Sequence, residues 1–137
     1  MREIPAGHEA VLEIIVSDDM TVRFDELGEV HPVYATYWMA KHIEEASRKI
    51  ILPFLEAHED GIGVAVSVRH LAPAPVGTRL RVVARHERTE PRGPGSRVHA
   101  LCEVGDGSGR LIGRGSTEQA VLPRSEIKAR FASSNPS

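Results

Sequence analysis

His31-Pro-Val-Tyr-Ala-Thr-Tyr-Trp-Met-Ala-Lys-His-Ile-Glu-Glu-Ala-Ser-Arg-Lys-Ile-Ile-Leu52 decides the fold, because it is the only long helical pattern in the chain. Trp38, Met39, Ile43, Ala46, Ile50 and Phe54 recur at spacings of three and four, an apolar stripe that must face a core. Lys41, Glu45, Arg48 and Lys49 fall largely off that stripe and belong in water. His31 and Pro32 lie just upstream, which predicts a helix start near Ala35 or Thr36, with Thr36 either capping the helix or standing in its first turn. Pro53 predicts the end near Leu52, since proline inside a helix removes a hydrogen bond and collides with the preceding turn.

On either side of this helix the pattern changes to a period of two. Residues 9–16 alternate, with Ala10, Leu12, Ile14 and Val16 on one face, and read as a strand. Residues 18–34 keep no sustained period; they read as a long excursion with a short strand at 21–24, and loops of that length are often functional. Residues 56–63 read as a polar loop. Four strands follow. The first covers 62–71, with Ile62, Val64, Val66, Val68 and His70 on one face. The second covers 79–88, with Leu80, Val82 and Ala84 together, and the third 97–104, with Val98, Ala100, Cys102 and Val104 together. The fourth covers 111–122. Residues 72–77, 89–95 and 105–109 are the turns, rich in Pro and Gly. A short helix at 125–131 and a frayed tail at 132–137 complete the chain.

One strand, one long helix and four antiparallel strands define an α+β chain. A single helix cannot cover both faces of a five-stranded sheet. The order therefore predicts a curved antiparallel sheet of five or six strands wrapped around the helix, with its exposed parts paired to a second copy. That is the hot-dog architecture. The expectation is a single domain over residues 1–137 with its core at about 9–123 and a flexible C-terminal tail.

The chain has 137 residues and a formal net charge of −2, which offers no basic excess for nucleic acid. No apolar run approaches a membrane span, and the N-terminus lacks an apolar signal core. Cys102 is the only cysteine, which rules out an intrachain disulfide and fits a reducing setting. A cytoplasmic protein without membrane or nucleic-acid partners is expected.

Three residues stand out chemically. Thr36 and Glu44 differ by about 80° around the helix and lie about 12 Å apart along it. Glu44, next to Ile43, sits at the edge of the apolar stripe, where partial desolvation would make its carboxylate more basic. The plainer reading pairs it with Arg48 one turn on. Thr36 has an equally plain reading as a helix N-terminal residue. His70 shares its face with the strand's valines and points toward the helix, either as a satisfied core histidine or as a general acid or base. Convergence of all three on one helix–sheet interface would make a site. Gly61 and Gly63 permit close backbone approach or simply open the strand. His31, His42 and His58 have no metal-ligand spacing, and no metal or cofactor is expected. Cys102 reads as a small core residue. Arg79, Arg81, Arg85 and Arg88 form a stripe suited either to solvent or to a phosphorylated ligand such as coenzyme A.

The sequence resembles the hot-dog thioesterases of the fluoroacetyl-CoA thioesterase type over roughly residues 10–125. The segment Val33-Tyr-Ala-Thr-Tyr-Trp-Met-Ala-Lys-His-Ile-Glu44 is similar to that family's helix motif, with its threonine and a glutamate eight residues later. Gly63-Val-Ala-Val-Ser-Val-Arg-His70 resembles its glycine-to-histidine strand, residues 72–77 its following turn, and 112–122 its last strand. The resemblance implies Thr36, Glu44 and His70 as the catalytic set, with Gly63 against the acyl thioester. Gln119, where the family's fluoroacetyl-specific enzyme has arginine, and the aromatic pair Tyr37 and Trp38 would be further substrate contacts that depart from the family pattern. Fluoroacetyl selectivity is therefore not implied. The expected activity is hydrolysis of a small or short acyl-CoA to acid and CoA by a homodimer or a dimer of dimers. A hot-dog enoyl-CoA hydratase or dehydratase, and a non-catalytic acyl-CoA-binding dimer, are the alternatives.

Overall fold

The computed structural model describes residues 1–133. In chain order the elements are β1 (Glu9–Ile15), β2 (Thr21–Phe24), β3 (Gly28–Tyr34), α1 (Thr36–Ile51), β4 (Glu59–His70), β5 (Arg79–Arg92), β6 (Gly95–Asp106), β7 (Leu111–Pro123) and α2 (Arg124–Ser133). Five strands form one antiparallel sheet in the order β1-β5-β6-β7-β4, while β2 and β3 pair as a separate hairpin. The helix α1 touches all five strands of the large sheet. Its stripe buries Met39, Ile43, Ala46, Ile50 and Ile51 against Leu80, Val82 and Ala84 of β5 and Val98, Ala100 and Val104 of β6. This is the hot-dog arrangement: an antiparallel sheet around one long helix.

The helix lies close to the sheet because glycines floor the contact. A Cβ at Gly113 would collide with the Met39 sulfur, and one at Gly61 with the Ile51 methyl. At Gly115 it would stand 3.0 Å from Ile43 Cδ1 and would collide with the Ser67 carbonyl. The β4–β7 half of the sheet is thus where α1 approaches most tightly.

The strand β4 differs from its expected pattern in one consequential way. Gly63 pairs with Gln119 and Ala65 with Glu118, so Val64 is an unpaired bulge residue. A bulge inserts one residue and resets the period of two. Gly61 and Gly63 face α1 before it; Val66, Val68 and His70 face α1 after it. Ile62 points to the opposite side, against Ala120, Leu122 and Ile127 of α2. The single face expected for Ile62, Val64, Val66, Val68 and His70 is therefore corrected to its last three members. The strand also begins earlier than expected, at Glu59, and β5 and β6 run through most of 89–95.

The expected excursion contains β3 besides the anticipated β2. Its register with β2 shifts twice and most of its residues are exposed, so no period of two marks it. Thr36 opens α1 but makes no capping bond; Ala35 is the cap residue. The C-terminal helix is longer than expected and takes in Ala132 and Ser133, the first two residues of the tail anticipated at 132–137; the rest of that tail, 134–137, lies outside the described residues. The floor under α1 predicts that Gly115→Ala lowers stability by roughly 1–3 kcal/mol, because the overpacked contact includes backbone. Urea unfolding measures this, and an unchanged midpoint would show that the floor is slack.

Candidate functional site

The first residue of α1 and the last residue of β4 meet. Thr36 Oγ1 lies 2.9 Å from His70 Nδ1. Because Ala35 caps the helix through its backbone, the Thr36 hydroxyl is free for this contact. The other imidazole nitrogen, His70 Nε2, is buried without a hydrogen-bond partner among the described residues. A buried polar atom left unpaired costs free energy, so this one calls for a ligand or a partner. The Tyr34 ring stands against His70 at 6.1 Å between centroids and 70° between planes.

Two turns further along α1, Glu44 faces β4 at Gly63. A Cβ on Gly63 would stand 3.0 Å from Glu44 Oε2, so the glycine makes room for the carboxylate. Glu44, Glu45, Arg48, Gly63 and Gln119 line a cavity of about 230 Å³. Arg48 donates to the Gly61 carbonyl and to Asp60 Oδ1, both at 2.8 Å. It does not take up the i+4 pairing with Glu44 that the sequence offered. Glu44 is exposed in this chain. Gln119, opposite Gly63, is buried and donates from Nε2 to the Ser47 carbonyl at 3.0 Å. The chain thus brings Thr36 to His70, and Glu44 to Gly63 and Gln119, at two places about 12 Å apart along α1.

Tyr37 and Trp38 lie apart from that cavity. The Tyr37 hydroxyl donates to the Arg23 carbonyl at 2.7 Å and accepts from the Arg23 N–H at 3.1 Å, and the ring leans on Phe24. It ties α1 to the β2–β3 hairpin. Trp38 is half-buried beside His42, with Lys41 Nζ 4.3 Å from its ring centroid. Cys102 is buried; burial pushes its thiol up, which suits packing and not nucleophilic attack. Arg81 approaches Glu13, and Arg88 pairs with Glu87 and Glu90, so these members of the arginine stripe form a solvated face. No cluster of three or more His, Cys, Asp or Glu able to hold a metal occurs among the described residues. No described helix is long and apolar enough to cross a membrane.

His42 escaped notice in the sequence except as a poor metal ligand. It is buried on the core side of α1, with Nδ1 2.6 Å from Tyr34 Oη. Its spacing of three from Met39 and four from Ala46 was the available signal. Burial holds its imidazole below the ordinary value, with Glu45 partly opposing and Lys41 reinforcing the shift. Burial likewise pushes the Tyr34 phenol well above its usual range.

A family model described as fluoroacetyl-CoA-specific thioesterase matches residues 16–125. The chain is 30% identical over 135 residues to a fluoroacetyl-CoA thioesterase from Streptantibioticus cattleyicolor, covering 95% of this chain and 94% of that protein. Among solved structures it resembles a Thermus thermophilus hypothetical protein, a thioesterase superfamily member. The TM-score is 0.90 at 59% identity, over 96% of this chain and 93% of that one. It also resembles a single-residue mutant of the fluoroacetyl-CoA thioesterase in complex with acetyl-CoA, with TM-score 0.82 and 27% identity over 96% and 99% of the two chains.

The state of His42 has a pH signature. Its proton affinity is lower folded than unfolded, so the unfolded chain binds more protons as pH falls below the ordinary value of 6.5. The stabilisation is fully present above that pH and is lost on acidification toward the folded value. Thermal midpoints from pH 8 down to pH 5 should therefore fall more steeply for the wild type than for Tyr34→Phe/His42→Leu. Parallel curves would show that His42 does not carry the effect.

Proposed function

The chain belongs to the fluoroacetyl-CoA-specific thioesterase family and is an acyl-CoA thioester hydrolase; we propose that Thr36, Glu44 and His70 together release a small or short carboxylic acid and free CoA. The observation that carries this reading is the His70 imidazole, held at Nδ1 by Thr36 and bare at the buried Nε2. With the Thr36 hydroxyl donating to Nδ1, Nε2 carries the proton and faces the reacting group. Glu44 supplies the carboxylate. It attacks the thioester carbon itself, giving an anhydride that water then opens, or it takes a proton from an attacking water. As the C–S bond breaks, His70 gives its Nε2 proton to the departing thiolate. Backbone N–H groups at the start of α1 suit the developing oxyanion.

Gly63 leaves space beside Glu44 for an acyl thioester. Gln119 stands where the family's fluoroacetyl-specific enzyme has arginine, and its amide is committed to Ser47. This supports an acyl preference other than fluoroacetyl. Tyr37 and Trp38 shape the entrance from the hairpin side without lining the Glu44 cavity.

The working unit in this reading is a homodimer. The strand β4 is an edge strand carrying Val64 at 47% and Val66 at 40% exposure, an edge that invites pairing. Antiparallel pairing of two copies centred near Val66 brings the Thr36–His70 end of one copy alongside the Glu44–Gly63 segment of the other. Each site then takes its histidine and threonine from one protomer and its glutamate from the other. The free thiol of Cys102 fits a reducing, cytoplasmic setting.

Thiol release from a panel of acyl-CoA thioesters tests the activity. Glu44→Ala and His70→Ala should each lower turnover by roughly 10²- to 10⁴-fold. Full activity in either variant would sink the site assignment. Hydration of crotonyl-CoA without thiol release would point to a hydratase, and saturable binding without turnover to a binding module. Sharing of the site is tested by refolding Glu44→Ala together with His70→Ala. Half the dimers are then mixed, each with one complete site, so about a quarter of wild-type activity should return. No recovery despite mixed dimers would place all three residues of each site in one protomer.

A further inference from the structure

Directly behind the Thr36–His70 contact lies a polar pair that the hydrolytic scheme leaves unused. Tyr34, the last residue of β3, is fully buried, and His42 is 4% exposed on the inner side of α1. Tyr34 Oη and His42 Nδ1 are 2.6 Å apart, with ring planes within 9° of each other. The same tyrosine ring meets His70 nearly at right angles. Its backbone is anchored too: the Tyr34 N–H donates to the Ala74 carbonyl, and the adjacent Ala35 N–H to the Met20 carbonyl, each at 2.8 Å. Core packing alone would be served by two apolar side chains of similar shape, which bury without a desolvation cost. The hydroxyl and the imidazole therefore call for another account.

We infer that Tyr34 and His42 form a positioning pair: their hydrogen bond fixes the Tyr34 ring, and that ring holds the His70 imidazole with Nδ1 on Thr36 and Nε2 toward the substrate. The inference rests on His70 acting in thioester hydrolysis. The pair spans β3 and α1, so it locks the wall beside His70 to the helix that also carries Glu44. With the Tyr34 hydroxyl donating to Nδ1, His42 stands as a neutral imidazole and places no positive charge beside His70. The groups placed against His70 are uncharged: Thr36 from α1, Tyr34 from β3, and Gly113 across the ladder on β7. The nearby charges, Lys41 and Glu45, flank His42 on its own helix.

The test compares wild type, Tyr34→Phe and Tyr34→Phe/His42→Leu. The single variant keeps the ring but leaves His42 Nδ1 buried without its donor; the double variant makes both partners apolar and should recover stability. Thermal midpoint, kcat and KM on the best acyl-CoA, and the imidazole ¹⁵N resonances of His70 are the readouts. The double variant is expected to regain the wild-type midpoint while kcat stays down by roughly 10- to 100-fold with KM little changed, as for a misplaced catalytic group. The His70 nitrogen resonances should move in both variants. Recovery of kcat together with the midpoint, or unmoved His70 resonances in Tyr34→Phe, would overturn the inference and leave the pair purely structural. A wild type inactive on every acyl-CoA would defeat the hydrolytic reading alone, because the resonances decide the positioning without turnover.

Discussion

The close seating of α1 on β4 and β7 is the contact on which the rest of the structure depends. Met39 rests over Gly113, Ile43 over Gly115 and Ile51 over Gly61, each where a side chain on the sheet would push the helix away. Burial of this apolar stripe supplies the driving force, and the glycines set the distance. That distance places Thr36 within hydrogen-bond reach of His70 and leaves Glu44 just clear of Gly63. A helix raised even slightly would lose both relations. Packing and candidate chemistry are thus two consequences of one interface.

Much of this was legible in the sequence. The stripe from Trp38 to Phe54 named the central helix and its inner face, and alternation at Leu80-Val82-Ala84 and Val98-Ala100-Cys102-Val104 named the inner face of the sheet. What stayed hidden involved departures from a period. The bulge at Val64 moves Ile62 to the outer face and brings Gly61 and Gly63 inward, and no residue type announces it. The hairpin strand β3 carries its pairing through shifted registers and exposed residues, so alternation is missing. Side-chain partners chosen across the fold were equally invisible. Arg48 turns to Asp60 and not to Glu44, and Tyr34 finds His42 across the strand–helix junction.

The candidate site holds its two groups at separate places in one chain. His70 has one nitrogen held and one bare, while Glu44 stands exposed with no ion pair among the described residues. The histidine has no carboxylate partner among the described residues, and the carboxylate stands in solvent. In the proposed pairing of two β4 edges, the carboxylate of one copy would meet the histidine of the other, and the exposed valines of that edge would be covered. Covering Glu44 there would also take its carboxylate partly out of water. On this account the dimer interface completes the chemistry as well as the fold.

The most direct measurement is a crystal structure of the protein with a non-hydrolysable thioether analogue of a short acyl-CoA. The account predicts a homodimer joined through β4, with the analogue's carbonyl end within hydrogen-bond distance of His70 Nε2. Gly63 and Glu44 of the partner subunit should flank the same group. An analogue seated away from His70, or a carbonyl end reached by His70 and Glu44 of a single protomer, would contradict it.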